Sequence, residues 1–319
     1  MQSEVLPFEV VAPAGGLAPD TLGESPAWCA RSQALWWVDI RAPQLRRWSP
    51  GSGVFDCWPM PELCGAVVPT TGVQVAVALR GDIRLLDPAS GTLAPLVTLE
   101  TGQPEHRLNE ARCDRQGRLW CGSMWDFGRQ PTGALYRVAP QQGSMVARRV
   151  RAGVTIPNGI AFAPDGGRMV FVDTATGCIE VAPYDIEEGM PGAWRTLVEA
   201  GAAPGKPDGN AVDAQGCIWS ARFGAGCIAR FTPQGRLDRV IALPVSQPTS
   251  CVFGGADLAT LFVTSATQHM SPGARAGEPL AGALLALRPG VQGLAEAPLR
   301  LPSPANAWQD IQSPIPSNH

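Results

Sequence analysis

Glu24, Asn109, Asn158 and Asp208 share one position in a repeating pattern. Each stands eleven to thirteen residues ahead of the centre of an apolar strand, at Trp37, Trp120, Phe171 and Trp219 respectively. If the repeats surround an axis, these four side chains converge on one small volume. Carboxylates crowded together repel one another unless a cation or a proton intervenes. Carboxylate and amide oxygens are hard ligands, suited to Ca²⁺, Mg²⁺ or Mn²⁺ rather than to a soft metal. Taken singly, each residue has a plainer reading, since Asn158-Gly159 and Asp208-Gly209 are ordinary turn dipeptides. The shared register favours a site.

Other candidates carry less. Arg107 lies two residues before Asn109, so in an extended segment both face one side. It can bind a hydroxyl or carbonyl oxygen, or pair with a surface acid. Asp126, six residues past Trp120, falls in a loop, where it either meets a ligand or is simply solvated. His106, His269 and His319 have no metal-like spacing, and Cys113 and Ser123 have no evident His–Asp set, so a nucleophilic triad is excluded. No glycine-rich motif that would cradle a phosphate is present.

The elements that must position these residues are short strands separated by turns, which points to an all-β fold. Strand centres fall at Trp37, Val77, Trp120, Phe171, Trp219 and Phe262. Their steps of about 40, 43, 51, 48 and 43 residues match the four-strand blade of a propeller. A third strand follows each, as in QLRRWSP, DIRLLDP and GALYRVAP. Six units predict a six-bladed β-propeller with four-stranded blades around a central channel, occupying residues 1–301 as a single domain. Val5–Val11 is expected to complete the last blade and close the ring, which leaves only short sheet edges. Residues 302–319, rich in Pro, Ser and Asn, read as a loose C-terminal tail. At the shared head position, unit two offers Cys64-Gly65-Ala66 and unit six Thr249-Ser250-Cys251.

Composition narrows the class. A hydrophobic content of 45% with 17% charge supplies a large core, and the net charge of −3 comes without a basic run. That argues against a nucleic-acid partner. No apolar stretch approaches the roughly 20 residues of a membrane span, and the N-terminus lacks a signal-peptide pattern. Nine cysteines, an odd number with no C-x-x-C pair, read as reduced thiols in a cytoplasmic protein.

Five blocks, LGESPAWCARSQALWWVDI, RLNEARCDRQGRLWCGSM, IPNGIAFAPDGGRMVFVDT, KPDGNAVDAQGCIWSARF and QPTSCVFGGADLATLFVTSA, together resemble the regucalcin/gluconolactonase family of sugar lactonases. The resemblance runs from about Glu4 to about Leu299. It implies a six-bladed propeller with one divalent cation at the channel mouth that hydrolyses aldonolactones to aldonic acids. It implies Glu24, Asn158 and Asp208 as metal ligands, and Arg107 and Asn109 as substrate contacts. Asp126 falls where the family often has a Glu, and Trp125 replaces a small residue beside it. The family's L-G-E-G-P becomes L-G-E-S-P at Ser25, a change expected to matter little.

The function expected is therefore a metal-dependent sugar lactonase. Asp208 serves as ligand and as base for the attacking water, and Asp126 accepts hydrogen bonds from substrate hydroxyls. Ca²⁺ is the first expectation, with Mn²⁺, Zn²⁺, Fe²⁺ and Mg²⁺ open. The partner is a small-molecule sugar lactone, with neither nucleic acid nor membrane involved, and the chain is a monomer or small homo-oligomer. Two alternatives stand beside this: a metal-dependent esterase or organophosphate hydrolase, and a non-catalytic calcium-binding propeller. The loops Trp125–Thr132 and Ser265–Glu278 are expected to set the choice of sugar.

Overall fold

The alternation of β-branched and aromatic residues with Gly/Pro/Asp turns builds six antiparallel sheets around a channel. The computed structural model describes residues 3–13 and 17–302, so the expected tail falls almost wholly outside the described residues. Blade 1 runs outward from the axis as Gly23–Cys29, Ala34–Asp39, Gln44–Ser49 and Val54–Pro59. Blade 2 is Ala66–Pro69, Val75–Ala78, Asp82–Leu86 and Leu93–Thr98. Blade 3 is His106–Cys113, Leu119–Trp125, Gly133–Gln141 and Ser144–Val154. Blades 4, 5 and 6 begin with Pro157–Phe162, Lys206–Val212 and Pro248–Gly254. All six strand centres read from the sequence lie in the second strand of a blade. The fourth strand of blade 6 is Phe8–Ala12, paired antiparallel with Leu284–Leu287, while Glu4–Val5 passes on to the outer edge of blade 5 in parallel. Among the described residues the helix is a single six-residue turn, Pro272–Gly277, and no helix is long and apolar enough to cross a membrane.

The core lies between blades rather than within one. One apolar cluster joins blades 1 and 2 through Val38, Leu45, Val67 and Val77. Another joins blades 6 and 1 through Trp28, Trp37, Val252 and Phe262, so the last blade seals against the first. The second-strand aromatics Trp37, Trp120 and Trp219 are fully buried, and each indole N–H finds an acceptor: Asp20 at 3.1 Å, Tyr184 at 3.0 Å and Asp213 at 2.9 Å. Each such bond spares the ring the cost of an unpaired buried donor, a cost that Trp28 and Trp36 carry.

A strap, Gln292–Arg300, crosses the mouth where the first and second strands turn. It donates and accepts backbone hydrogen bonds at Ala214, Leu258, Pro69, Thr71 and Gly117, which belong to blades 5, 6, 2 and 3. Beneath it lies a cavity of about 480 Å³ lined by Trp28, Val68, Ala111, Phe162 and Phe253. All nine cysteines are free thiols; six are buried, Cys113 and Cys178 are half-buried, and Cys57 is exposed.

Ser25 occupies a glycine-like backbone position. Its φ of 50° lies in the left-handed region, and its buried hydroxyl has no hydrogen-bond partner. A side chain there costs about 1–2 kcal/mol of backbone strain, against the roughly 0.4–1 kcal/mol that a glycine loses through a freer unfolded chain. Ser25→Gly should therefore stabilise the protein by about 1 kcal/mol, read as a higher denaturant midpoint; a lower midpoint would show that the serine contributes a contact of its own.

Candidate functional site

The blades aim the site residues by a shared device. The innermost strand of blade 1 slips register against its neighbour between Glu24 and Ala27. That of blade 3 slips between Asn109 and Ala111, and that of blade 4 between Asn158 and Ala161. The blade 5 strand slips between Pro207 and Asn210, around Asp208. Such β-bulges bend a strand and re-aim a side chain. In blades 1, 3 and 4 the next residue (Ser25, Glu110 or Gly159) has positive φ. Blade 2 lacks the device. Its Gly65 is pressed against blade 3, so that a Cβ would fall 2.0 Å from the carbonyl oxygen of Leu108. That contact explains why unit two offers no ligand.

Two aspartates fix the approach to the bulges. Asp39 accepts from the amides of Thr21 at 2.8 Å and Leu22 at 3.0 Å, just before Glu24. Asp173 does the same for Thr155 at 2.8 Å and Ile156 at 3.0 Å, just before Asn158. Each stands two residues past its strand centre, in the V-D-I and V-D-T segments.

Glu24, Arg107, Asn109, Asp126, Asn158 and Asp208 all lie at the mouth opposite the strap, and a hydrogen-bond path links most of them. Asp126 accepts from Arg107 Nε at 2.8 Å. Arg107 Nη1 donates to Asn109 Oδ1. Asn109 Nδ2 donates to Asn158 Oδ1 at 2.8 Å and to the Pro157 carbonyl at 2.7 Å. Asn158 Nδ2 donates to Thr174 Oγ1 at 2.9 Å, and that hydroxyl donates to the Pro207 carbonyl at 2.9 Å, beside Asp208. Asp126 is no solvated loop acid. Its side chain is 3% exposed, and it accepts from Arg41 at 3.0 and 2.8 Å as well. Its acceptors are spent on guanidiniums, which hold it in place.

Glu24 and Asp208 join this group through their charges. Burial raises the pKa of both; for Asp208 the negative charges of Glu24 and then Glu110 add to that rise, and Arg107 opposes it. For Glu24 the backbone amide of Ser25 and the charges of Arg107 and Arg112 oppose the rise. Asp208 Oδ1 is buried with no hydrogen-bond partner. A carboxyl that burial and a second carboxylate keep from ionising, with an oxygen left unpartnered, is a group that a cation would relieve. Asn158 Oδ1 keeps a lone pair after accepting from Asn109. Two carboxylates and one amide therefore fit a hard divalent ion. Among the described residues no cluster of three or more His, Cys, Asp or Glu side chains does so, which leaves this mixed oxygen set as the candidate.

Residues 22–267 match the family described as SMP-30/Gluconolactonase/LRE-like region. The chain belongs to that family. It is 38% identical over 280 residues to a 6-deoxy-6-sulfogluconolactonase of Pseudomonas putida, covering 87% of this chain and 94% of the relative. An L-arabinolactonase of Azospirillum brasilense is 33% identical, covering 87% and 92%. The crystal structure of a calcium-binding protein, regucalcin, from Agrobacterium tumefaciens superposes with a TM-score of 0.86 at 30% identity, covering 94% of this chain and 99% of that one.

Within this SMP-30/gluconolactonase chain the sequence reading missed a deeper layer. Glu110 is buried with both carboxylate oxygens unpartnered, and burial pushes its pKa up to about 8. Arg112 Nε lies 3.5 Å from it, and Arg112 Nη1 pairs with Glu296 of the strap. Glu110 stood in view within R-L-N-E, but its left-handed backbone, which turns it inward, gave no sequence signal. Arg41 was findable, because it stands just past the second strand of blade 1, as Asp126 does in blade 3.

Folding raises these carboxyl pKa values from the usual region of about 4. The folded chain then holds protons that the unfolded chain has released, so this stabilisation is full at low pH and is lost as pH climbs through about 7 for Glu24 and about 8 for Glu110. Cation-free protein should lose melting temperature between about pH 5 and pH 8, Glu110→Gln should reduce that loss, and millimolar Ca²⁺ should abolish most of it. A flat profile without cation would show that the carboxylates are neutralised by other means.

Proposed function

We propose that the protein is a divalent-metal-dependent sugar lactonase that opens an aldonolactone to its aldonic acid. The observation that carries this is the stranded, buried Asp208 Oδ1 beside Glu24, in a chain whose relatives include several named lactonases. Glu24, Asn158 and Asp208 would hold the cation. When bound, it polarises the lactone carbonyl and lowers the pKa of water beside it.

The chain's own residues do the rest. The Asp208 carboxylate would take the proton of the attacking water, since its Oδ1 has no hydrogen-bond partner of its own. Arg107 Nη2 makes no hydrogen bond among the described residues, so it is free to donate to an oxygen of the lactone. Asn109, locked between Arg107 and Asn158, fixes the angle from which that donor points. Asp126 orients Arg107 through its Nε, which leaves the outer nitrogen aimed at substrate. Burial of all four groups limits competing water, and this strengthens each interaction. The free cysteines support a reducing, cytoplasmic setting. The polar lining at this mouth favours a sugar over the apolar esters of the alternative hydrolase reading, since the apolar cavity lies at the other end.

The test is proton release from a panel of aldonolactones by metal-stripped enzyme, by enzyme resupplied with single cations, and by Asp208→Asn. Loss of general base and ligand together should lower kcat by about 10³-fold or more, and stripping should do likewise until metal returns. Full activity in both preparations would discard the site, and no hydrolysis of any lactone with any metal would discard the function.

A further inference from the structure

Three arginines crowd Asp126. Arg41 makes a two-pronged contact with it at 3.0 and 2.8 Å and donates to Gln268 Oε1 at 2.8 Å. Arg107 donates to it at 2.8 Å from beneath. Arg80 Nη2 stands 4.0 Å away, while its Nη1 donates to the Pro104 carbonyl at 2.9 Å. Arg41, Arg80 and Asp126 each follow the second strand of their blade, in blades 1, 2 and 3, and Arg107 comes from the first strand of blade 3. The channel mouth therefore carries a basic arc along three adjacent blades.

One carboxylate cannot balance three guanidiniums. Arg41 raises the electrostatic cost of a charged Arg107: burial, and then the neighbouring guanidinium, lower the Arg107 pKa against the pull of Asp126. Glu24 and Asp208 could offset this only while they hold no cation. Once a divalent ion neutralises them, two positive charges at the mouth remain unmatched. Arg41 and Arg80 have side chains 29% and 30% exposed, so they are open to a ligand, whereas Arg107 is buried. Partly desolvated guanidiniums in a fixed fork are suited to oxyanions, which they bind in two-pronged fashion.

Resting on the lactonase reading above, we propose that the preferred substrate is an aldonolactone carrying a second, anionic group (a sulfonate, phosphate or carboxylate) remote from the ring carbonyl, which docks on Arg80 and Arg41. Arg80 is the main determinant, because its outer nitrogen is committed to no acid at hydrogen-bonding distance. Arg41 supports it while holding Asp126 and Gln268.

The experiment compares kcat/KM for gluconolactone with that for the same lactone bearing a 6-sulfonate, a 6-phosphate or a 6-carboxylate. Wild-type enzyme, Arg80→Gln and Arg80→Lys are used, all loaded with the same cation. Wild type should favour at least one anionic lactone by about tenfold or more. Arg80→Gln should shrink that ratio about tenfold, through KM, while Arg80→Lys keeps part of it. The preference should also weaken between low salt and about 0.5 M NaCl. The three anionic arms identify the group the arc selects. If neutral and anionic lactones are hydrolysed equally well, or if Arg80→Gln slows both alike, the arc serves the aldonate product or the fold and this proposal fails while the lactonase reading stands. If no lactone is hydrolysed at all, both fall together.

Discussion

Two carboxylates, Glu24 and Asp208, are buried at one channel mouth, and one guanidinium, Arg107, acts on both. Like charges in so weakly screened a place are costly. The fold maintains them by rigidity. Glu24 comes from blade 1 and Asp208 from blade 5, and neither strand can relax away without disturbing the apolar seams on both sides of its blade. Asp39 and Asp173 pin the loops leading to Glu24 and Asn158, and the bulges then turn those side chains inward. The stress at the centre is thus held by packing at the periphery, in the way that functional sites store strain.

The repeat was legible because second-strand centres such as Trp37, Trp120 and Trp219 are buried in every blade and cannot drift far in spacing. The candidate site was legible for the same reason, since one register position in a ring is one place in space. What the sequence withheld was set by backbone conformation and by long-range pairing. Glu110 enters the channel through a left-handed residue inside a strand, which no propensity announces. Asp126 resembled a solvated loop acid because its partner Arg41 is 85 residues away. The strap, with Glu296 reaching Arg112, joins segments more than 180 residues apart. Its sequence, Gln292–Arg300, carries none of the alternation that marks a strand.

The two mouths divide their labour. Where first strands begin and second strands end, side chains are polar and converge. Where those strands turn, the strap ties blades 2, 3, 5 and 6 by backbone hydrogen bonds over an apolar floor. A propeller must be held against splaying. Placing closure at one end leaves the other to the site: Arg41, Arg80, Asp126 and Thr174 all stand just past second strands, in blades 1 to 4.

Blade 6 is assembled from two distant stretches of chain, Phe8–Ala12 and Pro248–Leu287. On the ribosome the first of these emerges early and has no sheet to join until some 270 further residues have been made. Throughout that interval Phe8 and Val10 lie on an unpaired edge, the kind of surface that invites pairing with another chain. Velcro closure of the ring is therefore also a timing problem in biogenesis: the nascent protein must keep Phe8–Ala12 unclaimed until its partner Leu284–Leu287 leaves the exit tunnel.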